Sequence, residues 1–304
     1  MRISTNTASC MTSYGKKGLI TDLEAIKKLQ KAGFDTIDIS FVFPTYPEFI
    51  LRADDWKDRI EHLAEEIRTL GVTLNQCHLP FGNTWEKGFR SNGFGEIFDE
   101  CTRRGILAAG ILKIPNAVIH PMTFPELNNE GKACMEANHA YYDEFVELAV
   151  KHNVRLVYEN MPPFANHDQM AMRYCQHYEQ LAELVDSYHD ERVGICWDTG
   201  HANLNYFDQE RALKYLGKRV KALHINDNHR NLMDEHLSPY LGDIDWRKIM
   251  RTLVEIGYEG DLTYETGQVG KHAPTGEFQD LYLRMVYENA CAMRKVYQEE
   301  CDNG

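Results

Sequence analysis

Eight short runs rich in β-branched and apolar residues recur along the chain at intervals of roughly 30 to 40 residues, the length of one strand plus one crossover helix. They begin near Arg2, Thr36, Thr73, Ala117, Arg155, Val193, Val220 and Leu262. Between them the apolar positions return at helical spacing. Leu19 to Ala32 carries Leu23, Ile26 and Leu29 and stops at Gly33; Trp56 to Leu70 carries Ile60, Leu63 and Ile67 and stops at Gly71; Asp245 to Ile256 carries Ile249 and Leu253 and stops at Gly257. A glycine just past the last periodic residue ends a helix because it takes the left-handed conformation without a Cβ penalty. A last helix is expected over Phe278 to Glu300, and longer loops over Phe81 to Gly93, Pro162 to Gln176 and Asn228 to Asp243. Eight strand–helix units with no Pro/Gly/Ser-rich linker predict one domain over residues 1–304, a single (β/α)8 TIM barrel of the α/β class. An open doubly wound sheet is the competitor, but its Gly-x-Gly-x-x-Gly turn is missing after the first run.

Four consecutive runs end on a polar residue, in the order Glu159, Asp198, His224 and Glu265. A strand between two layers is normally apolar throughout, so an ionisable residue at its carboxyl end needs a partner. Taken singly, each could be a helix cap, a turn or a loop hydrogen bonder. Three carboxylates and an imidazole at the active end of one barrel instead make a complete ligand set for a divalent metal. Strand alternation tests this: stepping back by two gives Val157 and Arg155, Cys196 and Gly194, Ala222, and Thr263. Most are small or apolar, as an inner layer requires, and Tyr158, Trp197 and Tyr264 fall on the helix side. Arg155 is the exception and is expected at the mouth of the barrel's amino end.

More histidines follow the same rule. His78 and His120 end two earlier runs, and His201 lies three residues past Asp198. Asp234 and His236 lie in the loop after His224, as does Arg230, a candidate substrate contact. His78 and His120 could hold a second metal with Glu159 bridging, and His201, Asp234 and His236 a third; equally, these groups could hydrogen-bond a polyhydroxylated substrate. Cys77 alternates to the opposite face from His78 and reads as packing. His62, His139, His152, His167, His177, His189, His229 and His272 read as surface or loop residues.

The net charge of −13 argues against a phosphate backbone as the natural substrate, so no nucleic-acid partner is expected. Apolar residues make up 43% of the chain, yet no stretch reaches a membrane span, and no secretory signal opens it. Eight scattered cysteines without a Cys-x-x-Cys pair suit reduced thiols in a cytoplasmic protein. A homo-oligomer is left open.

Asp-Thr-Gly-His at 198–201, His-Ile-Asn-Asp at 224–227 and Asp234 to Trp246 resemble the xylose isomerase-like TIM barrel superfamily of sugar isomerases, ketose epimerases and AP endonuclease family 2. The resemblance implies that Glu159, Asp198, His224 and Glu265 bind one divalent ion, that Glu159 and Glu265 are the catalytic proton shuttles, and that His201 and Arg230 contact substrate. Manganese or zinc is expected first, with cobalt and magnesium also compatible. The implied reaction is a metal-dependent isomerisation or epimerisation of a small sugar, by proton transfer through an enediolate. Endonuclease IV-type enzymes use a larger set for three zinc ions, matched here by His78, His120, Glu159, Asp198, His201, His224, Asp234, His236 and Glu265. The alternative is therefore an AP endonuclease-like metal-dependent phosphodiester hydrolase, and a sugar-binding barrel without catalysis is the third reading.

Overall fold

A computed structural model describes residues 1–11, 19–81, 94–124, 127, 131–166, 169–267, 273 and 275–303. Most of the expected loop Phe81 to Gly93, with His167 and His272, lies outside the described residues. The strands are β1 (Ile3–Asn6), β2 (Thr36–Ser40), β3 (Thr73–His78), β4 (Asn116–Ile119), β5 (Arg155–Glu159), β6 (Phe164–Asn166), β7 (Gln169–Ala171), β8 (Val193–Asp198), β9 (Val220–His224) and β10 (Leu262–Tyr264). All but β6 and β7 form one parallel sheet in the order β10-β1-β2-β3-β4-β5-β8-β9. A parallel bridge between Ile225 and Tyr264 closes the ring, where the Ile225 N–H donates to Thr263 O and the Glu265 N–H donates to Ile225 O. The fold is the expected (β/α)8 TIM barrel. The loop from Pro162 to Gln176 differs from its reading as plain loop, since β6 and β7 pair in it as an antiparallel hairpin.

The helices sit where the apolar spacing put them, with ends set by local chemistry. Asp22–Ala32 is opened by a capping box, in which Thr21 accepts from the Glu24 N–H and the Glu24 carboxylate accepts from the Thr21 N–H. Trp56–Leu70 ends at Gly71 in the left-handed conformation, φ 69°. Trp246–Glu255 is capped by Asp245, and the last helix runs over Gly276–Asn303. Among the described residues no helix is long and apolar enough to cross a membrane.

Alternation along the strands divides the buried residues as expected. Val118, Val157, Cys196 and Ala222 form a small apolar cluster of their own inside the barrel, while Tyr158, Trp197, Tyr264 and Cys77 belong to the larger core between strands and helices. All eight cysteines are free thiols, six of them buried. Arg155 lies at the amino mouth of the barrel, where its Nη1 donates to Asn116 Oδ1 at 2.8 Å.

Two irregularities alter the interior. The register of β2 on β3 shifts between Ile37 and Asp38, so that Asn75 is the extra residue of a bulge, and β8 on β9 shifts between Ile195 and Cys196 with Lys221 as the extra residue. A buried polar chain results: Ser4 donates to Asn75, Asn75 to Thr263, Thr263 to Gln76, and Gln76 to Asp38.

Candidate active site at the carboxyl ends of the strands

The motif Asp198-Thr199-Gly200-His201 turns β8 directly into a helix, Thr199–Leu204. Asp198 caps it, its Oδ1 accepting from the His201 N–H at 2.7 Å, while Asn226 Nδ2 donates to its other oxygen at 2.7 Å. Asp198 is thus a helix cap, and its Oδ2 lies 4.0 Å from His224 Nδ1. Gly200 is required here: a Cβ would stand 1.7 Å from Asn226 Oδ1. The run His224 to Asp227 has a matching division of labour. His224 faces the barrel axis, Asn226 grips Asp198, and buried Asp227 anchors the following loop by accepting from the Tyr240 and Ile244 N–H groups and Trp246 Nε1. That anchor positions the segment carrying Asp234 and His236.

These elements bring nine of the expected residues together. Glu159 is central. Its Oε2 lies 3.2 Å from His78 Nε2 and 3.0 Å from His120 Nε2, and its Oε1 lies 3.0 Å from His224 Nδ1 and 3.3 Å from His201 Nδ1. His224 Nδ1 is 3.2 Å from Glu265 Oε2 and 4.0 Å from Asp198 Oδ2. Asp234 Oδ2 joins His236 Nε2 at 2.9 Å and His201 Nε2 at 3.4 Å. The donor atoms fall into compact groups: Glu159, Asp198, His224 and Glu265; His78, His120 and Glu159; His78, His224 and Glu265; and His201, Asp234 and His236. All of them but the fully buried Asp198 and His224 line a cavity of about 470 Å³, with Arg173 at its wall and Phe81 stacked on His120 at 4.4 Å between ring centroids.

Burial and mutual charge set the protonation of the site. Burial pushes the Glu159 carboxyl up, but the imidazoles of His224 and His120 outweigh it and hold it well below the usual range. Burial lowers His201 and His236, yet Asp198 and Asp234 lift the first to about 10, and Asp234 lifts the second to about 10. His120 goes the other way, down to about 4, because its burial outweighs the pull of Glu159. Burial raises Asp198 to about 6 against the opposing pull of His201. Imidazole protons therefore neutralise buried carboxylates, a charge balance that a divalent ion would supply in their place.

Arg230 stands apart. It is exposed, donates from Nε to Asn203 Oδ1 at 2.7 Å, lies 5.8 Å from the Tyr206 ring centroid, and lines a neighbouring cavity. The structure does not bring it to the central cavity; Arg173 lies there instead. Of the remaining histidines, those described lie outside the cavity, with His62, His189 and His229 exposed and His139, His152 and His177 half-buried.

Two residues escaped the sequence reading. Arg173 lies in the loop after β5, where no periodicity marks it. Asp38 sits on β2, fully buried, with Oδ2 3.9 Å from His224 Nε2. Neither His224 Nε2 nor Asp38 Oδ1 has a hydrogen-bond partner. Asp38 precedes the end of β2 by two residues, so the strand-end rule that picked out the cluster passes over it.

A family model described as xylose isomerase-like TIM barrel matches residues 26–281. An uncharacterized protein of Methanocaldococcus jannaschii is 30% identical over 200 residues, 65% of this chain and 66% of the relative, so the match spans about two thirds of that protein's length. Among solved structures, a D-tagatose 3-epimerase-like protein superposes with a TM-score of 0.70 at 22% identity, covering 96% of this chain and 98% of that one. The IolI protein with a bound zinc atom gives 0.71 at 19% identity, covering 99% of each. At these identities the structural likeness speaks for the fold, and the family match over most of the chain decides membership: the chain belongs to the xylose isomerase-like TIM barrel family.

Proposed function

We propose that this protein is a divalent-metal-dependent sugar isomerase or epimerase, acting on a ketose or related small sugar by proton transfer through an enediolate. The observation that carries it is the convergence of Glu159, Asp198, His224 and Glu265, whose donor atoms lie within 4.8 Å of one another, with Glu159 and Glu265 on the wall of the cavity. The donor set fits a metal: three carboxylates and an imidazole, all nearly or fully buried except Glu265. The orphaned Nε2 of His224 is a further sign. A metal-ligating histidine donates its other ring N–H to a carboxylate, and Asp38 Oδ2, 3.9 Å from that nitrogen, is a carboxylate that a small shift would bring to it. Mixed carboxylate and imidazole donors suit manganese or zinc first, then cobalt or magnesium.

A bound ion would supply the positive charge that polarises a carbonyl and stabilises negative charge on the adjacent oxygen. The chain's own groups do the rest. Glu159 Oε1 and Glu265 Oε2 both meet at His224 Nδ1; one glutamate would remove the carbon-bound proton and the other return one, Glu159 giving up its Oε2 contacts with His78 and His120 to do so. At the cavity wall His201 and His236 turn Nδ1 to the backbone oxygens of Asn160 and Glu265 and Nε2 to Asp234 Oδ2, so a sugar hydroxyl would bind Asp234 or take its place on an imidazole N–H. Arg173 offers a cation on the same wall. Phe81 over His120 gives an apolar face for the C–H side of a sugar and limits water. The epimerase-like protein among the structural neighbours agrees with this reading.

A second reading, metal-dependent phosphodiester hydrolysis, is favoured by one observation: the groups at His78–His120–Glu159 and His201–Asp234–His236 flank the quartet on both sides. Side-by-side assays of metal-loaded protein decide between the two. We expect a panel of ketoses to yield new stereoisomers and an abasic duplex to stay intact. Nicking of the duplex without sugar turnover would overturn the proposal.

A further inference from the structure

At the amino end of the barrel, opposite the metal cluster, lies a separate cavity of about 440 Å³. Two cations reach it from inside the ring. Arg155 comes from β5 by ordinary alternation, whereas Lys221 is the extra residue of the bulge between β8 and β9. Gly194 makes room for the second: a Cβ there would stand 2.5 Å from Lys221 Cγ. The lysine stem therefore lies on the bare backbone of β8.

Like charges brought together and half-buried repel, and burial together with Arg155 holds the Lys221 ammonium below its ordinary range. Among the described residues no carboxylate pairs with either of them at salt-bridge distance, and Arg155 Nε is buried without a hydrogen-bond partner. The nearby acids do not fill the role. Asp261 is engaged by Arg2 at 2.8 Å, and Glu191 and Glu259, the acids that act on Lys221, are both exposed. Asn116 fixes the fork of the guanidinium through Nη1, leaving its other N–H groups free to face an acceptor.

We propose that this cavity binds a small oxyanion, of the phosphate or carboxylate class, between the Arg155 guanidinium and the Lys221 ammonium. A planar fork and a point charge converging on one polar space are the donors such anions take. The site is independent of the sugar reading, because it lies at the other end of the barrel and shares none of the metal-cluster residues.

Calorimetric titration of metal-loaded protein with inorganic phosphate, and separately with acetate, against potassium chloride at matched ionic strength tests this. Binding is expected for one or both oxyanions over chloride, and the stronger of the two names the source. Arg155→Gln and Lys221→Gln should each weaken binding by roughly 10- to 100-fold, the loss of one charge-assisted contact. Gly194→Ala, which displaces the lysine stem but leaves every charge in place, should weaken it too. Melting temperatures measured without oxyanion show that each variant is folded. No binding beyond chloride would overturn the proposal. So would phosphate binding unchanged in folded Arg155→Gln and Lys221→Gln, which would place the anion at the metal end.

Discussion

The same eight strands build both ends of the barrel, and the two ends use them differently. At the carboxyl end, one side chain per strand turns inward, and the charges answer each other: each histidine of the cluster lies within 4.0 Å of a carboxylate. At the amino end, Arg155 and Lys221 line one cavity with Glu259 and Asp261, yet among the described residues no carboxylate lies within salt-bridge distance of either cation. Between the two ends Val118, Val157, Cys196 and Ala222 pack as an apolar cluster on β4, β5, β8 and β9, while the polar chain from Ser4 to Asp38 runs through the half built by β10, β1, β2 and β3. The lesson concerns how inward positions are generated. Plain alternation places the quartet and, beneath it, Thr263 and Arg155, while departures from alternation at two bulges bring in Asn75 and Lys221.

The sharpest way to break the comparison is at its centre. Glu159→Gln removes the carboxylate shared by two of the donor groups and leaves His224, His78, His120 and His201 without their common partner. We expect loss of measurable metal by elemental analysis and of all turnover; a variant that keeps full metal content would break the account. Glu265→Gln is the milder test, since its side chain is 21% exposed at the cavity edge. The protein should fold, bind metal more weakly, and lose about 10³-fold in kcat, the weight of a general acid–base residue. Unchanged turnover would remove Glu265 from the mechanism.

Asp38→Asn asks whether the buried carboxylate serves the metal end or merely ends the polar chain from Ser4. An orienting partner of a ligating histidine is worth about 10- to 100-fold in metal affinity. We expect a loss of that size in competitive chelator titration with the melting temperature of the metal-free protein kept or raised, because an ionised buried acid is removed. Unaltered affinity would make Asp38 part of the interior network alone.

The charge balance of the site makes a prediction about pH. Folded-state values raised to about 10 for His201 and His236, above the ordinary 6.5, mean that their contribution to stability is full below pH 6.5 and lost as pH rises through 10. Asp198, raised to about 6, adds a loss in the same direction between about pH 4 and 6. The chelator-treated protein should therefore melt at a lower temperature at pH 9.5 than at pH 7, and saturating metal should shrink the difference. An equal fall with and without metal would show that the ion does not draw on Asp198 and Glu159, two of the carboxylates that keep His201 protonated. The smallest effect belongs to the layer between the ends: Val157→Ala should cost about 2 kcal/mol of stability in denaturant melts without changing metal content.

Much of this was legible in the sequence. The strand ends at Glu159, Asp198, His224 and Glu265 could be found because a parallel strand is apolar until it leaves the sheet, and the inner positions Val157, Cys196 and Ala222 followed by counting in twos. The Arg155 exception was also readable, and it lies at the amino mouth as counted. What stayed hidden depends on neighbouring strands or on tertiary packing. Register shifts are properties of strand pairs, so nothing in Thr73 to His78 alone announces that both Asn75 and Gln76 turn inward. Asp38 becomes meaningful only once β2 lies across from His224. Arg230 and Arg173 show the same limit from the other side: sequence position favoured the first, and loop packing carries the second to the cavity wall.

The central claim is that the quartet serves proton transfer at carbon. Incubating metal-loaded protein with a panel of ketoses in deuterium oxide, and reading the recovered sugars by proton NMR and mass spectrometry, tests it most directly. The account predicts deuterium at a carbon next to the carbonyl of one sugar, dependent on metal and absent in Glu265→Gln. Unlabelled sugars across the panel, from protein that cuts an abasic duplex under the same conditions, would contradict it.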